Sequence, residues 1–212
     1  MMRKFSLSLQ EIRIVLLIVV VLLTACSGGS SSGAKEESVA LGDYSDLYQY
    51  NAYLLDGHTV RWASRTIPVY GAIGAGWQKA IKRWPTVNFW FVATKPAWGI
   101  HILGYDDLGK ICGLASFTYD SAGALEWCIV KVNIFHDDMN CGRVTDTITH
   151  EVGHCIGVFR HTTDGGLMDE KADGSSEITS SVTAMLGLLC NLAPGADIRD
   201  QLLARRTRQD GY

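Results

Sequence analysis

Several things are missing from this chain, and each absence removes a class of function. No run of basic residues is long enough to track a phosphate backbone, and the formal net charge is −3. Nucleic acid is therefore set aside as a partner. No internal repeat is visible, which removes solenoids and propellers. No two cysteines have the close CxxC spacing of a thiolate metal site. No EF-hand-like acidic run occurs, so Asp106-Asp107 and Asp137-Asp138 read as ordinary loop acids and no calcium site is expected. The apolar run Ile14–Leu23 is too short to span a bilayer comfortably as a permanent helix.

What is present centres on His150–Met168, HEVGHCIGVFRHTTDGGLM. Four residues on a helix turn about 400° and rise about 6 Å, so His150 and His154 leave one face a turn apart. That separation lets both imidazoles reach a single Zn²⁺. Glu151 leaves roughly 100° round from His150. It is better placed beside the metal than on it, where it can deprotonate a water. A catalytic zinc needs a third protein ligand and an open fourth position. On a continuous helix, His161 would lie about 16 Å further along the axis than His150. Gly157 can adopt the left-handed conformation that ends a helix, so the helix is expected to stop there and His161 to swing in from the loop.

HExxHxxG followed by a His and a Met resembles the metzincin zinc endopeptidases, and the short chain is most similar to their matrixin-like bacterial members. In that pattern the third His follows the Gly by three residues. Arg160 occupies that place here, and arginine has no lone pair to offer a metal. The ligand role is therefore carried to His161, on a loop one residue longer, with Asp164 as its rival. Met168 would be the Met of the family's Met-turn, with Gly165–Gly166 supplying flexibility. The resemblance implies an α+β fold: a twisted, mostly parallel five-stranded sheet with an antiparallel edge strand, an active-site helix, the Met-turn and a C-terminal helix. It also implies that Gly113, Leu114, Ala115 and Ser116 lie on the edge strand where an extended peptide binds as an added strand. Asp169, Glu170 and Lys171 would border the pocket beyond the scissile bond.

The N-terminus reads as an export signal. Arg3 and Lys4 precede the apolar run, which ends in Leu23-Thr24-Ala25-Cys26. That ending resembles the bacterial lipobox, in which Cys26 becomes the first mature residue and carries the lipid. Ordinary cleavage after Ala25 is the alternative. By these resemblances residues 1–25 are expected to be a lipoprotein signal peptide, 26–38 a lipidated cysteine with a Gly/Ser tether, and 39–212 one metzincin-like zinc peptidase domain. Ser27 after the cysteine resembles sorting to the outer membrane, with the domain in the periplasm or at the cell surface.

An exported chain can oxidise its cysteines. Ile111–Tyr119 and Leu125–Phe135 read as strands around a turn at 120–124, and Cys112 and Cys128 are symmetric about Asp120. A Cys112–Cys128 bridge is expected. Cys155 with Cys190 is a second possibility, and Cys141 competes. Elsewhere, 60–62, 67–70, 88–92 and 100–104 read as extended. A helix is expected over 76–84 with Trp77, Ile81 and Trp84 on one face, another near 142–157, and a last one near 177–191. Asp146 is read as either a partner for a ligand imidazole or a first-turn helix acid. His58, His101 and His136 have no partners at ligand spacing.

The expectation is a monomeric, lipid-anchored zinc endopeptidase acting on protein or peptide substrates, with Glu151 as general base. Two alternatives stand beside it. One is a non-catalytic, zinc-stabilised surface lipoprotein used for binding or adhesion. The other is a hydrolase of a non-peptide amide.

Overall fold

The computed structural model describes residues 42–71, 73–105, 108–109, 111–134, 141–169 and 175–203. The signal sequence, Cys26 and the tether lie outside them, as do His136, Asp106-Asp107, Asp137-Asp138, Glu170 and Lys171. All described residues belong to one compact unit, Val39–Tyr212. In chain order they form α1 (Gly42–Tyr50), a 3-10 turn (Ala52–Leu54), β1 (Thr66–Gly71), α2 (Ala75–Ile81), β2 (Asn88–Val92) and β3 (Gly99–Tyr105). Then follow β4 (Gly113–Tyr119), β5 (Leu125–Asn133), α3 (Val144–Cys155) and α4 (Ser180–Asn191).

The strands make one sheet in the order β2-β1-β3-β5-β4. β1 pairs in parallel with β2 and β3, and β3 in parallel with β5. Only β4 runs antiparallel, and it lies at the edge. This is the expected α+β arrangement, a mostly parallel five-stranded sheet closed by an antiparallel edge strand. Burial explains the strands. Ile67, Val69, Ile100, Ile102, Cys128, Val130 and Val132 are all buried, and such apolar runs suit a sheet whose face is covered by helices. β4 instead alternates, with Ala115 and Phe117 half-buried and Leu114, Ser116 and Thr118 exposed. That is the pattern of a strand with one wet face.

The long α3 packs on β4 and β5, α2 packs on α3, and α1 packs on α4. Two indoles fix α3 in place by donating to its carbonyls: Trp84 Nε1 to Thr149 O at 3.0 Å and Trp62 Nε1 to Cys155 O at 2.7 Å. At the C-terminal end of α4, the buried Arg61 guanidinium donates to the carbonyls of Cys190 at 2.7 Å and Leu192 at 2.6 Å. A cation there satisfies carbonyls left over by the helix and complements its dipole.

The cysteines pair otherwise than the symmetry about Asp120 suggests. The bridges are Cys112–Cys141 and Cys128–Cys155, and Cys190 is free. The hairpin ladder sets Phe117 opposite Cys128 and Gly113 opposite Val132. Asn133 N donates to Cys112 O, so Cys112 stands some five residues along the ladder from Cys128. At about 3.3 Å per residue that is roughly 16 Å, beyond the reach of a disulfide. Cys128 also faces the core, where the last residue of α3 meets it, so Cys155 is not available to Cys190. The extended segment expected at 60–62 contributes a single bridge, Arg61 with Ala124, rather than a strand.

Candidate metal centre

α3 ends as the glycine requires. Gly157 has φ +123, and its N–H donates to His154 O while Val158 N donates to Gly153 O at 3.1 Å. These are the two hydrogen bonds of a Schellman motif. The chain then doubles back. Its path is fixed by Asn51, which is fully buried. The Asn51 amide donates to Gly157 O at 2.9 Å and Val60 O at 2.7 Å and accepts from Val60 N at 2.8 Å. Phe159 N donates to Tyr50 O, and the Phe159 ring lies 4.4 Å from that of Phe117. Arg160 turns away from the cluster, its guanidinium 3.5 Å above the ring of Tyr53. His161 then returns to the helix.

His150, His154 and His161 come together, one nitrogen from each lying within 4.8 Å of the others. Their ring centroids are 4.9, 5.0 and 5.1 Å apart, so the three imidazoles surround a common point. Two of the rings are oriented from behind. His150 Nδ1 donates to Leu167 O at 2.6 Å, and His154 Nδ1 donates to Val158 O. A proton committed to a carbonyl at Nδ1 leaves the Nε2 lone pair free, which is the usual arrangement behind a metal-ligating imidazole. His150 Nε2 and His161 Nε2 face each other at 3.1 Å. Two nitrogens bound to one tetrahedral ion at about 2.0–2.1 Å lie about 3.3 Å apart. The donor set therefore fits a metal ion, as three neutral imidazoles do for several transition metals.

Electrostatics favours the same state. Burial lowers the pKa of His150, helped by His161 and opposed by the Leu167 carbonyl. Burial and the neighbouring His150 push His154 down to about 3. Both are thus neutral near pH 7, as ligands must be.

Glu151 does not join the triad. It is 7% exposed and its carboxyl is pushed up to about 7 by burial, against the pull of a hydrogen bond from the Ala115 backbone N–H. The space it occupies exists because residue 113 has no side chain. A Cβ on Gly113 would lie 2.6 Å from Glu151 Oε1 and 2.8 Å from Thr147 Cγ2. Glu151 thus sits between the helix and the sheet-edge strand. It opens on a cleft of about 360 Å³ lined also by His150, His161, Gly113, Thr147 and Asp169.

Met168 is buried beneath the helix. A Cβ on Gly153 would collide with Met168 Sδ and come within 2.7 Å of Trp84 Cζ2. The glycine inside the HExxH pentapeptide is the seat for that methionine. Gly113, Leu114, Ala115 and Ser116 lie on the edge strand as expected. Asp164, the rival third ligand, is spent elsewhere, on Thr162, Thr179, Ser181 and Gly166. Asp146 pairs with Arg83 and Arg143, each at 2.8 Å, and is a first-turn acid rather than a partner of a ligand ring. His58 donates from Nδ1 to Leu55 O, and His101 stacks on Tyr70.

The roles of Asn51, Gly153 and Asp164 escape sequence reasoning. Asn51 meets partners 9 and 106 residues away, and no local pattern signals such a bond. No protein-family model matches the chain, and no curated protein matches it.

Proposed function

We propose that this protein is a zinc-dependent endopeptidase of metzincin type. The observation that supports the reading most is a pairing: three convergent imidazoles, and a buried carboxylate beside them that opens on a cleft next to the edge strand β4, which among the described residues pairs with a strand on one side only. A site built only to hold a metal has no use for such a carboxylate. His150, His154 and His161 would hold the ion, and three histidines with an open fourth position suit catalytic zinc. Zinc there would supply a Lewis acid that acidifies a water and polarises the scissile carbonyl. Glu151 takes the proton of the water and returns it to the leaving amine. Apart from the Ala115 N–H, which is donated to Glu151, the outer edge of β4 over Gly113–Ser116 would offer main-chain groups to an extended peptide and align it as a further strand. Met168 supports the helix from below through Gly153.

The same proposal places the domain outside the cytoplasm, anchored by lipid at Cys26, most naturally on the outer membrane. The N-terminal sequence supports export, and two disulfides suit an oxidising compartment. No helix among the described residues is long and apolar enough to cross a membrane.

The test is cleavage of a mixed peptide library by purified protein, with and without chelator, beside Glu151→Ala. Chelator-sensitive cleavage that disappears in Glu151→Ala while zinc is retained is the expected result. Zinc binding with no cleavage of any peptide would move the assignment to a zinc-stabilised binding module.

A further inference from the structure

The third imidazole is the exposed one, and it hangs from a loop. What fixes that loop is a carboxylate. Asp164 Oδ1 accepts from Thr162 Oγ1 at 2.7 Å and from Gly166 N at 3.1 Å, and Oδ2 accepts from the hydroxyls of Thr179 and Ser181. Thr162 follows His161 directly and is 3% exposed. Its N–H donates to Met168 O at 2.9 Å, so the two ends of the 162–168 loop are tied by backbone while Asp164 ties its interior. Thr179 is the N-cap of α4, accepting from Val182 N. The clamp therefore joins the third ligand to the start of the last helix. A parallel tie runs beside it, Leu167 N to Glu177 O at 2.7 Å, and Leu167 O is the carbonyl that orients His150.

From this geometry we infer that Asp164 is the positioning residue of the metal centre: it holds His161 in the ligating position by clamping Thr162 to the N-terminus of α4. The inference rests on the metal-binding reading above. Four donors converge on one carboxylate, and hydrogen bonds to an ionised acceptor are stronger than neutral ones. Burial alone would raise the Asp164 pKa, but the hydroxyls of Thr179, Thr162 and Ser181 and the Gly166 N–H outweigh it and keep the group ionised. Outer contacts of this kind change metal affinity because a ligand that must be ordered at the moment of binding binds more weakly.

The test measures the zinc dissociation constant of the full chain by competition with a chromophoric chelator, at a temperature where circular dichroism shows each metal-free variant folded. Asp164→Ala is expected to weaken zinc binding about 10- to 100-fold, the usual cost of losing an outer-shell partner. Thr162→Val, which removes one hydroxyl at nearly constant volume, should shift the constant in the same direction, while Thr162→Ser should keep it near wild type. The decisive arm is the double variant. In a His161→Ala background Asp164→Ala should cost little further affinity, since its effect passes through the missing ring. Equal losses in both backgrounds overturn the clamp, as does unchanged affinity in Asp164→Ala and Thr162→Val. A wild-type chain that takes up no zinc overturns the metal reading and this inference with it, so the two failures are told apart.

Discussion

His150 and His154 ride on a helix bolted at both ends, whereas His161 hangs from a loop tied by hydrogen bonds. Cys112–Cys141 anchors the approach to α3 at the start of β4, and Cys128–Cys155 anchors its last residue to the middle of β5. Both disulfides flank the helix half of the site, and neither has a cysteine in the 157–169 loop. That loop relies on the Asn51 amide at its start and the Asp164 carboxylate in its interior. The contrast teaches a division of labour. Covalent staples and buried indoles hold His150, His154 and Glu151, whose mutual geometry the proposed chemistry would need. His161, the third proposed ligand, closes the set from a segment held by polar contacts. Loss of the helix half should therefore appear as loss of fold, and loss of the loop half as loss of metal.

The largest expected effect lies in the chemistry. Glu151→Gln should retain zinc and lower the rate of peptide cleavage by about 10²–10⁴, the range for removal of a general base. Cleavage at the wild-type rate would contradict the separate role given to Glu151 within the helix half.

Next comes the staple. Replacing Cys128 and Cys155 by Ala opens a loop of 27 residues and should cost about 3–4 kcal/mol of stability, read from thermal or denaturant unfolding. A small loss would mean that packing around Trp62 and Trp84 already holds α3 without the bridge.

A comparable effect should be visible in pH dependence. The folded state raises the Glu151 pKa from 4.5 to about 7, so it keeps a proton that the unfolded chain loses. That group therefore penalises folding of the metal-free protein increasingly as pH rises through this window. Glu151→Gln should be more stable than wild type by about 3 kcal/mol above pH 7, with the gain shrinking toward zero below pH 4.5. Denaturant midpoints across that range check it, and a gain independent of pH would contradict the assignment.

The smallest effects compare the two seats directly. Gly153→Ala crowds Met168 and Trp84 in the helix half and should cost about 1–3 kcal/mol. Asn51→Ala leaves buried backbone groups of Val60 and Gly157 unpartnered in the loop half, at a similar cost of about 1–3 kcal/mol. If the division holds, Asn51→Ala also weakens zinc binding by more than Gly153→Ala does at equal loss of stability.

Much of the helix half was legible in the sequence, because it is local. The i, i+4 spacing of His150 and His154, the neighbouring Glu151 and the stop at Gly157 all follow from helix geometry, and the boundaries Val144–Cys155 lie within two residues of the expected ones. β1, β2 and β3 were readable from short apolar runs, and β4 and β5 as strands around the turn at 120–124. What was not legible depends on meetings between distant segments. The disulfides turned on the ladder register, which the turn at 120–124 sets and which places the hairpin's centre beyond Asp120. α1 went unseen because GDYSDLYQY carries no apolar stripe of its own and is held through Leu47 and its contact with α4. Asp164 looked like a rival ligand because its residue type allows ligation, while the hydroxyls that occupy it come from residues 162, 179 and 181.

The central claim is a ligand set, and X-ray absorption at the zinc edge of the metal-loaded protein tests it most directly. The account predicts one zinc per chain, with three imidazole nitrogens and one oxygen at about 2.0–2.1 Å and the multiple-scattering signature of three rings. A sulfur shell near 2.3 Å, or a fit requiring only two imidazoles, would contradict it.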